Sequence, residues 1–147
     1  MSGATFETRG LTAEAAHLAV HAAVGKARAL GCKINCAIVD TGGQLLAFLR
    51  DPGAPLHSID IAVDKAYTAA SFRCPTDALY EAIADSPSVR QGIVARPRLT
   101  AFGGGYPIEL GGQLVGGVGV SGAAEHEDAE CARAARSAIL ELDAEGT

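Results

Sequence analysis

Small apolar residues recur at helical spacing from Thr12 to Leu30 (TAEAAHLAVHAAVGKARAL), and Gly31 follows. This pattern predicts a helix over 12–30, capped by Thr12 and stopped by the glycine. The period then changes. Two mostly apolar runs, Ile34 to Asp40 (INCAIVD) and Gln44 to Arg50 (QLLAFLR), flank Thr41-Gly42-Gly43 and predict a β-hairpin. Asp51-Pro52-Gly53-Ala54-Pro55 breaks the chain into a loop. Helical spacing returns over 58–72 behind Ser58 as a cap, and Pro75 ends it; Thr76 can cap a short helix over 77–85. The stretch from Asp85 to Pro97 holds Pro87, Gly92 and Pro97 and reads as loop with one helical turn at most, and Arg98 to Phe102 as a short strand. A second hairpin joins Pro107 to Leu110 with Gln113 to Ser121 through Gly111-Gly112, and a helix over 124–143 opens with acids that suit its dipole. Two hairpins among helices predict an α+β protein around one antiparallel sheet.

Glycine changes this picture. Nine of the 18 glycines fall between Gly103 and Gly122, in GGGYPIELGGQLVGGVGVSG. Glycine inside a strand costs roughly 0.5–1 kcal/mol against alanine. So dense a window implies a sharp bend, or the close approach of a helix, a second subunit or a ligand. Gly117 to Gly122 matches the G-x-G-x-x-G dinucleotide pattern, but no second parallel strand follows the last helix. No Gly-Lys-Ser/Thr phosphate loop exists.

A chain of 147 residues fits one domain over 1–147, and none of its apolar runs reaches the roughly 18 residues of a membrane span. A net charge of −5 without any Lys/Arg cluster argues against a nucleic-acid partner. The opening MSGATFETRG lacks an export signal, and Cys32, Cys36, Cys74 and Cys131 form no C-x-x-C pair. The expectation is a cytoplasmic protein with thiols as small buried hydrophobes and no metal site.

Several residues could carry chemistry. Lys65 shares a helix face with Ile61, Ala62, Thr68 and Ala69, so its amine either snorkels out or reaches a carboxylate or an anionic ligand. Arg50 ends a strand, where it can pair with a neighbouring acid or clamp a carboxylate. His57 follows a proline-bounded loop and reads as a loop residue, a proton carrier or an iron ligand. His17 and His21 share a stripe with Glu14 and Arg28, which reads as solvated. His126 sits among Glu125, Glu127 and Asp128, either as part of an acidic helix start or as a ligand contact. Ser121 lacks the G-x-S-x-G context of a hydrolase nucleophile.

Four stretches together resemble the GlcG/HbpS family of haem-degrading-domain-like proteins: IVDTGGQLLAFLR (38–50), IAVDKAYTAASF (61–72) with Pro75-Thr76, GGGYPIELGGQLVGGVGVSGA (103–123), and Glu127-Asp128. The matching positions are Asp40, Gly43, Arg50, Lys65, Thr68, Thr76, Gly104, Gly105, Gly119, Ser121, Gly122 and Asp128. The resemblance implies a profilin-like antiparallel five-stranded sheet flanked by helices, and a homo-oligomer. Some members bind haem; others sit beside glycolate, diol or aromatic catabolism or are fused to corrinoid adenosyltransferases. Where the family often reads Arg-Met-Asp-Gly-Ala, this chain has Arg50-Asp51-Pro52-Gly53-Ala54, a stiffer loop. The resulting expectation is a small-molecule-binding protein for haem or another anionic planar ligand, with no membrane partner. Its ligand-binding residues would be Arg50, His57, Lys65, Gly103, Gly104, Gly105, Tyr106 and Asp128. The rival is an enzyme of small-acid or aromatic catabolism (tautomerase, hydratase or hydrolase). Lys65 or His57 would then move the proton, Arg50 would hold a carboxylate, and the Gly103–Gly105 amides would stabilise negative charge. A third reading treats the glycines as packing devices only.

Overall fold

The computed structural model describes residues 3–146. In chain order the elements are α1 (Ala13–Leu30), β1 (Asn35–Val39), β2 (Leu45–Arg50), α2 (Ser58–Phe72), α3 (Thr76–Ile83), α4 (Pro87–Ile93), β3 (Gly105–Leu110), β4 (Gln113–Ser121) and α5 (Glu125–Glu145). Both hairpins form, and β1 pairs with β4 to join them into one antiparallel sheet ordered β2-β1-β4-β3. Helices flank it on both faces. α1 and α5 pack together over an apolar cluster that includes Cys36, Ile38, Ile108, Val118 and Val120. On the other face, Ala62, Ala66 and Ala70 of α2 meet Ala37 and Val39.

Strand alternation in β4 explains half of the glycine window. Val118 and Val120 fill the α1–α5 side, while Gly117 and Gly119 present bare backbone to α2. A Cβ on Gly117 would stand 2.5 Å from the Ala66 carbonyl oxygen, and one on Gly119 would run into that of Ala62. With alanines on the facing helix, α2 lies closer to the sheet than ordinary side chains permit. The second half of the window is therefore a helix seat.

The described residues form four strands, not five. Residues 98–102 are not a strand, because side chains take their backbone groups: the Thr68 hydroxyl donates to Arg98 O (3.0 Å) and accepts from Thr100 N–H (3.1 Å). Arg98 also adopts a left-handed φ of 67°, which extended pairing does not allow. Conversely β3 begins at Gly105, two residues before the predicted start, and Pro87 opens a true helix where a loop was expected. Thr12 caps α1 through Ala15 N–H (3.1 Å) and Gly31 ends it at φ 79°, both as predicted. Ser58 and Thr76 are instead the first helical residues, and neither α2 nor α3 has a side-chain cap bond.

Candidate functional site

Lys65 sits midway along α2 on the face turned to the sheet, and its side chain is 1% exposed. The amine donates to Val120 O (2.8 Å) and to Asp128 Oδ2 (3.3 Å), and the Phe102 ring lies over it at 4.9 Å. Asp128, 4% exposed, uses its other oxygen to accept Ala123 N–H (3.0 Å) at the start of α5. Burial pulls the Lys65 amine below its ordinary range, against the Asp128 charge that holds it up. Burial likewise lifts the Asp128 carboxyl, opposed by Lys65 and by the Ala123 amide. One ion pair thus ties α2, the end of β4 and the first turn of α5 together.

Gly103 to Gly105 close over this pair. A Cβ on Gly104 (φ 121°) would meet Val120 O, Lys65 Nζ and the Asp128 side chain; one on Gly105 would meet Thr76 and the Lys65 carbonyl. The Thr76 hydroxyl donates to Phe102 O (2.6 Å) and accepts from Gly105 N–H (3.0 Å), and the Glu125 carboxylate accepts Gly103 N–H. Residues 98–105 are therefore a strap held by two threonine hydroxyls, Thr68 of α2 and Thr76 at the start of α3. Arg98 anchors its start, stacked 3.6 Å over the Tyr67 ring and paired with Asp64 at 3.5 Å.

Of the residues singled out by sequence, the structure brings together Lys65, Asp128 and Gly103–Gly105. It sets three apart. Tyr106 pairs across the sheet with Val118 and so turns to the α5 side, where its hydroxyl accepts from Arg133 (2.8 Å) and Arg136 stacks on its ring. Arg50 makes no ion pair among the described residues; it donates to Ala54 O (2.8 Å) and bridges the 51–55 loop. Its Nε and the Oδ1 of its cross-strand neighbour Asn35 are buried without a hydrogen-bond partner. His57 is exposed just ahead of α2. The departure at Pro52 is held by its neighbours: Arg28 grips Asp51 through two bonds (3.2 and 3.3 Å), which keeps that carboxyl below the usual range, and Asn35 donates to Pro55 O.

A different region is open. Two adjoining depressions, of about 310 and 490 Å³, share Leu142 where the start of α1 meets the end of α5. Leu11 and Leu110 help floor the first and Arg9 edges it; Ala13, His17 and Leu18 line the second. Sequence reading assigned His17 to a solvated stripe because its apolar neighbour Leu142 is distant in the chain. Ala13, one helical turn before His17, was the available signal.

An antiparallel sheet with helices on both faces, clamped by a buried lysine–carboxylate pair under a glycine strap, makes this an α+β protein with a packed site under the strap and an open groove between α1 and α5. A model of the family described as haem degrading protein HbpS-like matches residues 11–137. The chain belongs to the HbpS-like family. An uncharacterized protein from the dhaT-dhaS intergenic region of Citrobacter freundii is 33% identical over 133 residues, covering 90% of this chain and 94% of that one. An HbpS double mutant from Streptomyces reticuli superposes with a TM-score of 0.82 at 36% identity, over 93% and 92% of the two chains. A PduOC:haem complex superposes with a TM-score of 0.80 at 31% identity, over 88% and 94%. No helix among the described residues is long and apolar enough to cross a membrane.

Proposed function

We propose that this protein binds a flat, largely apolar molecule carrying negative charge, haem first among them, in the groove between the start of α1 and the end of α5. The observation that carries this reading is the chemistry of that groove. Its lining is largely apolar and includes Arg9 and His17, with the carboxylates of Glu14 and Asp143 beside them. A porphyrin needs an apolar bed for its ring, a cation for its carboxylates and an axial donor for its iron. Family membership and the haem-bound relative support the ligand class.

His57, the axial candidate from sequence, precedes α2 on the face of the sheet opposite this groove. At Lys65 a ligand would have to displace Phe102 and compete with Val120 O and Asp128. The enzyme reading that relies on Lys65 therefore draws no specific support. Leu45 and Leu46, both exposed on the edge strand β2, which pairs with β1 on one side only among the described residues, support self-association into a homo-oligomer.

Titration with hemin, followed at the Soret band, tests the reading. Wild type and His57→Ala show the same saturable shift, while His17→Ala loses the axial signature and binds at least tenfold more weakly. Arg9→Ala weakens binding roughly two- to fivefold, the value of one exposed charge pair. A shift unchanged in His17→Ala, or lost in His57→Ala alone, refutes the groove.

A further inference from the structure

Residues 74–103, which carry α3, α4 and most of the strap, are held differently from the rest of the chain. Neither apolar cluster draws on them, and Leu79 is their one buried hydrophobic side chain among the described residues. No residue of α4 is buried. Among the described residues no backbone hydrogen bond joins this segment to the body of the fold; the first comes just after it, from Val120 N–H to Gly104 O (2.9 Å). Side chains do the tying instead. Thr68 of α2 serves Arg98 O and Thr100 N–H, Glu125 of α5 accepts Gly103 N–H, and Arg98 rests on Tyr67 and Asp64. Thr76 bonds to Phe102 O and Gly105 N–H and so draws the two ends of the segment together. Both ends are flanked by left-handed backbone, at Arg73 (φ 55°) where α2 stops and at Gly104 (φ 121°). That conformation is strained for the arginine and easy for the glycine.

We propose that residues 74–103 are a flap hinged at Arg73 and Gly104, and that its opening turns Lys65 from a buried structural cation into an accessible amine. What covers the amine moves with the flap. The Phe102 ring lies over it at 4.9 Å, and the hinge backbone closes so near that a Cβ on Gly104 would stand 2.8 Å from Nζ. What binds the amine stays behind, since Val120 O and Asp128 belong to β4 and α5. Opening therefore removes the cover and leaves the ion pair in place.

The motion withdraws one core side chain, Leu79, and breaks a handful of hydrogen bonds, so it costs less than unfolding the sheet. Hinges of this kind are a few residues at element ends that absorb the backbone change. The way in is already marked. A depression of about 270 Å³ lies where the strap meets α3 and α5, walled by Tyr80 and Phe102 and edged by Asp77, Glu81 and Glu125. Three carboxylates there repel anions, so the entrance favours neutral or cationic molecules. The flap covers Lys65 on the α2 face of the sheet, so it stands apart from the groove between α1 and α5.

Hydrogen exchange on the full chain, read by NMR, tests the flap. The amides of α3 and the buried, hydrogen-bonded Thr100 and Gly103 share one opening equilibrium, at least about 100-fold more populated than that of β1. Thr68→Ala removes the hydroxyl that holds two strap groups and raises that population roughly tenfold, with β1 and α1 unchanged. Acetylation by N-acetoxysuccinimide, a neutral ester, gives a second readout. Lys65 is modified faster in Thr68→Ala by the same factor as the exchange, while the exposed Lys26 and Lys33 keep their rates. Thr100 and Gly103 amides as slow as those of β1, or Lys65 modified equally in both proteins, overturns the proposal. Where Thr68→Ala weakens the whole fold, the exchange profile of the wild type decides alone.

Discussion

Lys65→Met lowers the stability of the protein by roughly 3–5 kcal/mol, and Asp128→Leu does the same, because each leaves one charge buried without its partner. In urea titrations the midpoint falls while the slope stays put, as expected for a native state weakened locally. The double variant Lys65→Met/Asp128→Leu recovers most of the loss. A buried ion pair gains little over well-packed apolar groups of similar volume, since its attraction is spent on desolvation. Recovery is incomplete for a stated reason. Asp128 also accepts Ala123 N–H, and Lys65 also serves Val120 O, so the double variant still lacks about 1–2 kcal/mol of capping and hydrogen bonding. Additive losses in the double variant, or singles within 1 kcal/mol of wild type, would contradict a coupled buried pair. The cycle also separates two roles for Lys65. If hemin binding survives in the double variant, the pair is a structural clamp and the ligand lies elsewhere.

The lysine itself was legible in the sequence. A cation whose helical neighbours are Ile61, Ala62, Thr68 and Ala69 must escape or find a partner, and it finds one. That Asp128 is the partner was not legible: family resemblance marked the position but not the pairing, and 63 residues with two strands, β3 and β4, separate the two. The hairpins were legible because apolar runs flanked glycine turns. The strap was not. Residues 98–102 have the composition of a strand, but Thr68 and Thr76 take their carbonyls, and no local pattern reports hydroxyls arriving from a helix about thirty residues earlier. His17 was hidden for the same physical reason. Its exposed stripe becomes the wall of a groove only when Leu142 at the far end of the chain packs beside it. Periodicity reads the inside of an element well and says little about which distant element will cover its rim.

Gly119→Ala is expected to destabilise the protein by about 3 kcal/mol or more, a large effect for a single methyl group. The added Cβ would collide with the Ala62 carbonyl oxygen, stand 2.5 Å from Ala66 N and lie 2.9 Å from the Lys65 Cβ. Two of these three are backbone atoms of α2, so no rotamer change relieves them, and the helix must lift from the sheet. Lifting α2 also draws the Lys65 amine away from Val120 O and Asp128, so the packing and the ion pair fail together. The control has the opposite sign. Gly25 lies within α1 with open space around its missing Cβ and no left-handed backbone, so Gly25→Ala should stabilise by roughly 0.5–1 kcal/mol through helix propensity. Thermal melts of the two variants should therefore move apart, with Gly119→Ala lower by roughly 10 °C and Gly25→Ala higher by a few degrees. The pair decides between two accounts of the glycines. If glycine in β4 served chain flexibility or a ligand's approach, alanine at Gly119 would leave the melt near wild type and alter binding first. If it seats a helix, stability falls before anything else changes, and the contact with Ala62 requires that second outcome.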